Sequence, residues 1–154
     1  MSAGSAAFRQ EWDEVARRVR AENESVLTGL GMGRGAFESG FAFFNLADGA
    51  KTLLQGGHDT WVRALACSKD GAYVISGGCD GKLTWWEAAA ETPKPVRSIA
   101  AHQGWVRSLD VSPDGTLLAS GGNDNLVRLW NIADGTLVRE LSGHSRHVYA
   151  IAFH

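Results

Sequence analysis

Serine, histidine and aspartate, the residue types of a hydrolytic triad, recur in this chain at fixed spacing. In such a triad the histidine takes the serine proton and the aspartate orients the histidine. Two sets of four side chains, each closed by a tryptophan, keep internal spacings of 18, 4 and 6 residues: His58, Ser76, Asp80 and Trp86, and His102, Ser120, Asp124 and Trp130. An active site seldom recurs in tandem, whereas a fully hydrogen-bonded polar chain can fix strands in one arrangement. We therefore interpret both sets as structural networks and expect no catalytic residues.

Metal and nucleotide chemistry are not indicated either. His144 and His147 form an H-x-x-H pair, but no Cys or carboxylate stands at a ligand spacing around it, and His144 takes the repeat position of His58 and His102. The glycine run at 29–35, GLGMGRG, lacks the Gly-Lys-Ser/Thr ending of a phosphate-binding loop and is typical of a flexible connection. We predict no metal site and no cofactor.

The composition is that of a folded, nearly neutral protein. The 154 residues include 15 Lys plus Arg and 17 Asp plus Glu, a net charge of −2 that argues against a nucleic-acid-binding domain. The apolar stretches are too short to cross a bilayer, and the first residues lack the core of a signal peptide. The two cysteines do not make a disulfide framework. We expect a cytoplasmic protein that binds neither nucleic acid nor a membrane.

An internal repeat organises most of the chain. Residues 58–87 align without gaps with residues 102–131, and 13 of the 30 positions are identical. A third copy begins at His144, and a partial copy precedes the first full one, since residues 44–58 align with residues 130–144. A period of 42–44 residues indicates that one supersecondary unit is repeated.

Each full repeat predicts four short strands. The turns between them carry Asp and Gly, as in Lys69-Asp70-Gly71, and these residues tolerate a tight backbone. Four antiparallel strands at this period are typical of a propeller blade. The predicted strands are 62–67, 73–76, 83–86 and 96–100, and then 106–111, 117–120, 127–130 and 137–141.

The repeats resemble those of the WD40 family, on the residues GGH…VISGG-CD-GKLTWWE and AAH…LASGG-ND-NLVRLWN. They depart from the family in closing on Trp86-Glu87 and Trp130-Asn131 in place of Trp-Asp. The resemblance implies that in each blade the Asp accepts from the His, the His bonds to the Ser, and the Ser meets the Trp indole. It implies an all-β fold, an incomplete WD40 β-propeller with two full four-stranded blades at 58–101 and 102–143, a partial blade at 41–57 and the start of a further blade at 144–154.

Residues 1–40 are predicted to form an N-terminal amphipathic helix and a glycine-rich connection. Within Ser5–Glu24 one helical stripe is apolar: Phe8, Trp12, Val15 and Val19. We expect this stripe to pack on the edge of the β part; a docking helix for a partner is the alternative.

The number of repeats is small for a closed ring, because propellers have about 4–8 blades. We interpret the chain as the N-terminal part of a longer WD40 protein that supplies the remaining blades, with the innermost strand of the next blade ending at Phe153. Assembly of several copies into a ring is the alternative.

The resemblance places the family's usual contact positions on one rim of the propeller: Trp61, Arg63, Cys79, Trp105, Arg107, Asn123, His147 and Tyr149. Trp, Tyr and Arg dominate interface hot spots, and such a surface would suit a peptide with acidic and apolar side chains. Alternatively, the tryptophans fill gaps between blades and the arginines pair with neighbouring acids. We predict a non-catalytic protein-protein interaction scaffold that presents this rim to a peptide or protein partner. The alternative is the regulatory WD40 portion of a multidomain enzyme whose catalytic domain lies outside this chain.

Overall fold

The computed structural model describes residues 41–44, 51–54, 56–88, 90 and 93–154. These residues form β-strands and no helix, so the predicted all-β class is confirmed. The predicted helix at Ser5–Glu24 lies outside the described residues. The strands are β1 Phe41–Phe44, β2 Lys51–Leu54, β3 Val62–Cys67, β4 Tyr73–Gly78, β5 Lys82–Glu87, β6 Pro95–Ala100, β7 Val106–Val111, β8 Leu117–Gly122, β9 Val127–Asn131 and β10 Leu137–Leu141.

Eight of these strands form two four-stranded antiparallel sheets, which we call blade 1 (β3–β6) and blade 2 (β7–β10). In each blade the strands lie side by side in chain order, so each one pairs with the next along the chain. The turns use left-handed backbone conformations that suit glycine, as at Gly71 and Gly81, with φ of 74° and 77°. In blade 2 Asn125 takes the place of Gly81, with φ of 66°.

The two blades repeat each other down to their strand register. In blade 1 Ser76 lies opposite Thr84, and in blade 2 Ser120 lies opposite Arg128. Each first strand also carries a shift of register near its start, between residues 62 and 64 and again between 106 and 108. Equivalent residues of the sequence repeat therefore occupy equivalent places in the fold.

The main hydrophobic core lies between the blades. Leu83 and Trp85 of blade 1 pack in one buried cluster with Val106 and Leu118 of blade 2. All four are fully buried. The indole N–H of Trp85 also donates to the carbonyl oxygen of Ile132, at 3.2 Å, so the blades are joined by a hydrogen bond as well as by packing.

A two-stranded antiparallel sheet of β1 and β2 precedes blade 1, with Phe41 opposite Leu54. Leu54 is buried in a second apolar cluster together with Val74 and Trp86 of blade 1. These two strands lie within the range predicted as a partial blade, and Leu54 provides its contact with blade 1.

Residues 144–154 contain no strand, although the third repeat predicts an innermost strand ending at Phe153. Val148 is buried, and its N–H donates to the carbonyl oxygen of Gly122 at 3.1 Å. The N–H of Ile151 then donates to the Ser108 hydroxyl at 3.1 Å. A strand requires a ladder of backbone hydrogen bonds to a neighbour. Here the segment contacts β7 through side-chain acceptors, and no described strand pairs with it.

Candidate functional site

The four side chains predicted as a network in blade 1 meet around one buried hydroxyl. The Oγ of Ser76 lies 2.7 Å from His58 Nε2 and accepts a hydrogen bond from Trp86 Nε1 at 2.8 Å. The other ring nitrogen, His58 Nδ1, lies 3.0 Å from Asp80 Oδ1. The Asp80 carboxylate also accepts the backbone N–H of Asp59 at 2.9 Å. The network thus joins β4 and β5 to the loop that precedes β3.

Blade 2 repeats this arrangement. Ser120 Oγ lies 2.7 Å from His102 Nε2 and accepts from Trp130 Nε1 at 2.8 Å, and His102 Nδ1 lies 2.8 Å from Asp124 Oδ1. The serines of both networks are fully buried. A nucleophilic serine must reach its substrate, and neither hydroxyl can do so. The geometry is that of a structural network and not of a hydrolytic triad.

The Gly-Gly pair after each serine makes room for the network and for the next unit. A Cβ at Gly78 would lie 2.4 Å from His58 Nδ1, and the equivalent distance in blade 2 is 2.3 Å. A Cβ at the preceding Gly77 would lie 2.6 Å from the side chain of Val106. These distances are too short for real Cβ atoms, so glycine is required at both positions by close packing.

Arg128 makes the network of blade 2 different from that of blade 1. Its Nη1 donates to Asp124 Oδ2 at 2.7 Å and to the carbonyl oxygen of Ala101 at 2.9 Å, while its Nε donates to Glu140 at 2.9 Å. The uncharged Thr84 holds the same position in blade 1. Arg128 is absent from the residues predicted from sequence, although the repeat alignment places it directly over Thr84.

The protonation states follow from these contacts. Burial raises the pKa of Asp124, but hydrogen bonds from Arg128 and His102 outweigh it and hold that pKa at about 2. Burial lowers the pKa of His102, against the opposing hydrogen bond to Asp124. At neutral pH the carboxylate is therefore charged and the imidazole neutral. Since His102 Nε2 then accepts from the Ser120 hydroxyl, its Nδ1 carries the proton that is donated to Asp124.

The predicted contact residues include a ladder of alternating arginine and aromatic side chains. The guanidinium carbon of Arg63 lies 5.3 Å from the ring centre of Trp105. That of Arg107 lies 5.1 Å from the same ring and 4.4 Å from the ring of Tyr149. These distances allow cation–π attraction. Trp105 and Tyr149 are 38% and 67% exposed, so the ladder faces solvent across both blades and the segment that follows them.

The other predicted contact residues adjoin this ladder. The N–H of Cys79 donates to the carbonyl oxygen of Trp61 at 2.8 Å, and the N–H of Asn123 donates to that of Trp105 at 3.0 Å. The ring of His147 lies 6.3 Å from that of Tyr149. The structure thus brings the predicted positions into one connected patch, which we call the rim surface: Trp61, Arg63, Cys79, Trp105, Arg107, Asn123, His147 and Tyr149.

The blades differ within the rim surface at one matched position. In blade 2 the side-chain oxygen of Asn123 accepts a hydrogen bond from Arg107 Nε. In blade 1 the matching residue is Cys79, whose pKa is raised by burial although the charge of Arg63 opposes that rise. Among the described residues neither arginine forms an ion pair. The alternative in which both arginines pair with neighbouring acids therefore does not match the structure.

Two further features carry no site in the described part of the chain. His144 and His147 are both exposed, and no group of three or more potential ligands of a metal ion occurs among the residues described. Within the same ranges no helix has the length and hydropathy needed to cross a membrane.

The repeats and the fold define a WD40-repeat protein, and the chain belongs to that family. The family model described as "WD domain, G-beta repeat" matches residues 50–87 and 93–131, together half of the chain. Similar solved structures include "Crystal structure of RRP9 WD40 repeats" and "Structure of U3-55K". Each is 26% identical with a TM-score of 0.69, over 77% of this chain and 37% of the other. The chain thus spans 37% of the length of these structures. No curated protein matches it significantly.

Proposed function

We propose that this chain is a non-catalytic interaction scaffold whose rim surface binds a protein or peptide partner. The observation that supports the proposal is the exposed ladder of Arg63, Trp105, Arg107 and Tyr149. Trp, Tyr and Arg concentrate binding energy at interfaces, because they combine a large apolar area with directed hydrogen bonds. WD40 repeats also generally serve as scaffolds for protein-protein interaction.

Both arginines of the ladder lie on strands, which lowers the entropy cost of binding. Arg63 lies on β3, which pairs with β4, and Arg107 lies on β7, which pairs with β8. The N–H of Asn123, which follows β8, donates to the carbonyl oxygen of Trp105, which precedes β7, at 3.0 Å. This hydrogen bond fixes the Trp105 backbone at the end of the β7–β8 pair. A partner would therefore meet side chains that are already arranged.

Selection of peptides from a displayed random library on the full chain tests the proposal. Binding of the enriched peptides is then measured with the variants Trp105→Ala and Arg107→Ala, and with Arg139→Ala, which removes an exposed arginine on β10, as the matched control. We expect both rim variants to lose most of the binding and the control to keep it, with circular dichroism spectra unchanged. Peptides that bind all three variants equally would show that the rim surface is not the binding site.

A further inference from the structure

The two arginines of the rim surface are prepared differently for a ligand. Arg107 is stacked against Trp105 and Tyr149, and its Nε is bonded to Asn123. Its two terminal nitrogens have no partner within the described ranges. A guanidinium whose Nε is already committed can still present both terminal nitrogens, end-on, to the two oxygens of one carboxylate. This arrangement suits the binding of a carboxylate.

Arg63 occupies the position of Arg107 in the preceding repeat, but it lacks the hydrogen bond that Asn123 accepts from Arg107. Its guanidinium stacks on Trp105 at 5.3 Å, and its charge acts on Cys79, which stands where Asn123 holds Arg107. Within the part of the chain that the structure describes, its guanidinium N–H groups donate no hydrogen bond, and the residue is exposed. The Arg63 side chain can change conformation to meet a second carboxylate. Its binding is weakened by the conformational entropy that the side chain then loses.

The distance between the arginines sets the spacing of the ligand groups. Both guanidinium carbons lie within 5.3 Å of the Trp105 ring centre, so they are at most about 11 Å apart. In an extended peptide, side chains two residues apart point to the same face and their Cα atoms are separated by about 7 Å. Two such acidic side chains can reach both arginines at once.

Building on the proposed function, we propose that the rim surface recognises an extended peptide segment with two acidic side chains two residues apart. Arg107, positioned by Asn123, is the anchor for one carboxylate, and Arg63 is the adjustable contact for the other. Asn123 is a positioning residue: it acts on the ligand through Arg107.

A single-stranded nucleic acid also presents negative charge, but the rim surface favours a peptide. Sequence-tolerant binding of single strands needs aromatic rings on which bases stack. Trp105 already has two guanidinium groups within 5.3 Å of its ring centre, and Tyr149 has one at 4.4 Å. The near-balanced charge of −2 also lacks the basic excess that such binding uses.

Fluorescence anisotropy with labelled synthetic peptides tests the ligand chemistry. The full chain is titrated with Ala/Thr-based peptides that carry Glu at positions i and i+2, with single-Glu and Gln-for-Glu versions, and with an oligothymidylate. We expect the paired-Glu peptide to bind about tenfold more tightly than the single-Glu peptide. Arg63→Ala should reduce the affinity for the pair to that of the single Glu. Equal binding of the Gln peptide, or tighter binding of the oligothymidylate, would overturn the inference.

A residue exchange between the blades tests the positioning role of Asn123. The double variant Cys79→Asn, Asn123→Cys moves the fixing hydrogen bond from Arg107 to Arg63. We expect Arg107→Ala to be the more damaging change in the unmodified chain, and Arg63→Ala to be the more damaging change in the double variant, each by about tenfold. If Asn123 had only a structural role, the double variant would not change which arginine substitution weakens peptide binding more. An unchanged order of the two substitutions would therefore reject Asn123 as a positioning residue.

The outcomes separate this inference from the proposed function. If displayed-library peptides bind through Trp105 and Arg107 but show no acidic pair, the scaffold function stands and the acidic-pair inference falls. If no peptide depends on the rim variants, both fall.

Discussion

Arg128 Nη1 lies 2.7 Å from Asp124 Oδ2 in blade 2, and at the matching position of blade 1 Thr84 has no charge to offer Asp80. The same guanidinium lies 2.7 Å from Glu140 on β10, so the outermost strand is tied to the network. The side chains of Arg128 and Asp124 are only 14% and 10% exposed. Salt screens partly buried pairs less than exposed ones, so this ion pair keeps much of its attraction in salt. The attraction requires that Asp124 is ionised.

Asp124→Asn should flatten the acid limb of the stability curve. The pKa of Asp124 is about 2 in the folded chain and about 3.9 when unfolded. A depressed pKa contributes stability that is present above about pH 3.9 and is lost as the pH falls through about 2. We expect the free energy of unfolding from urea titrations to fall less steeply over this range in the variant, from a lower value at neutral pH.

The arginine provides the control for this assignment. Arg128→Met removes one cause of the low pKa of Asp124, so the acid limb should begin near the same pH but end at a higher pH, with a smaller total loss of stability than in the unmodified chain. Arg139→Met, on the exposed strand β10, should leave the limb in place. Equal slopes in the unmodified chain and the Asp124→Asn variant would contradict the role of this carboxylate.

Removing the central hydroxyl of either network should destabilise the fold. Ser76→Ala and Ser120→Ala each remove the hydroxyl that bonds to a histidine Nε2 and accepts from a tryptophan N–H. A buried polar group without a partner costs about 1–3 kcal/mol, and thermal or urea unfolding measures the sum. The exposed Ser145→Ala is the matched control. A loss no larger than that of the control would mean that the networks are not needed for stability.

The sequence predicts the blades well because turn chemistry and strand alternation repeat in it. The turn aspartates and the apolar positions of residues 58–87 recur at 102–131, and β3, β7 and β10 have the bounds predicted. The fixed spacing indicated a structural network, and the resemblance to WD40 repeats implied its His–Ser–Asp–Trp contacts. The stacking of Arg63 on Trp105 could not be predicted in this way, because it joins two blades whose approach is set by the buried contacts of Trp85 and Leu83.

Two other features depend on neighbours and not on local pattern. The alignment of the third repeat predicts a strand, yet the N–H groups of Ile151 and Phe153 donate to the side chains of Ser108 and Asp110. Pattern alone states which residues prefer a strand, but strand formation needs a paired backbone. The sequence shows that Arg128 is charged, but it does not show that Asp124, Glu140 and the carbonyl oxygen of Ala101 accept its hydrogen bonds. These contacts depend on the folded arrangement of the strands.

Gly81→Ala should cost more stability than Gly71→Ala, although both glycines have left-handed backbone angles. The φ values, 77° and 74°, impose a similar strain on alanine, about 1 kcal/mol. A Cβ at Gly71 meets open space, whereas one at Gly81 would lie 2.3 Å from the carbonyl oxygen of His102. The difference between the two variants in unfolding free energy thus isolates the contact between the turn of blade 1 and the start of blade 2. Equal losses would show that this contact is loose.

Trp85→Phe should weaken the coupling between the blades. The indole N–H of Trp85 donates to the carbonyl oxygen of Ile132, at 3.2 Å, and the guanidinium of Arg97 lies 5.5 Å from its ring centre. Phenylalanine keeps an aromatic ring but removes the indole donor, so the carbonyl keeps only the longer hydrogen bond from Arg97 Nη1 at 3.5 Å, and the fully buried site is underfilled. We expect a loss of about 1–3 kcal/mol in the free energy of unfolding.

Trp105→Phe is the matched control for this change. Its indole is 38% exposed and donates no hydrogen bond to the described residues, so its replacement should change the free energy of unfolding by about 0.5 kcal/mol or less. Hydrogen exchange then shows where the chain is destabilised. In Trp85→Phe the amides of β7 and β8 should exchange faster, because Val106 and Leu118 belong to the same buried cluster as Trp85. If exchange accelerates only in β4 and β5, the tryptophan stabilises its own blade and the two blades hold together by their remaining contacts.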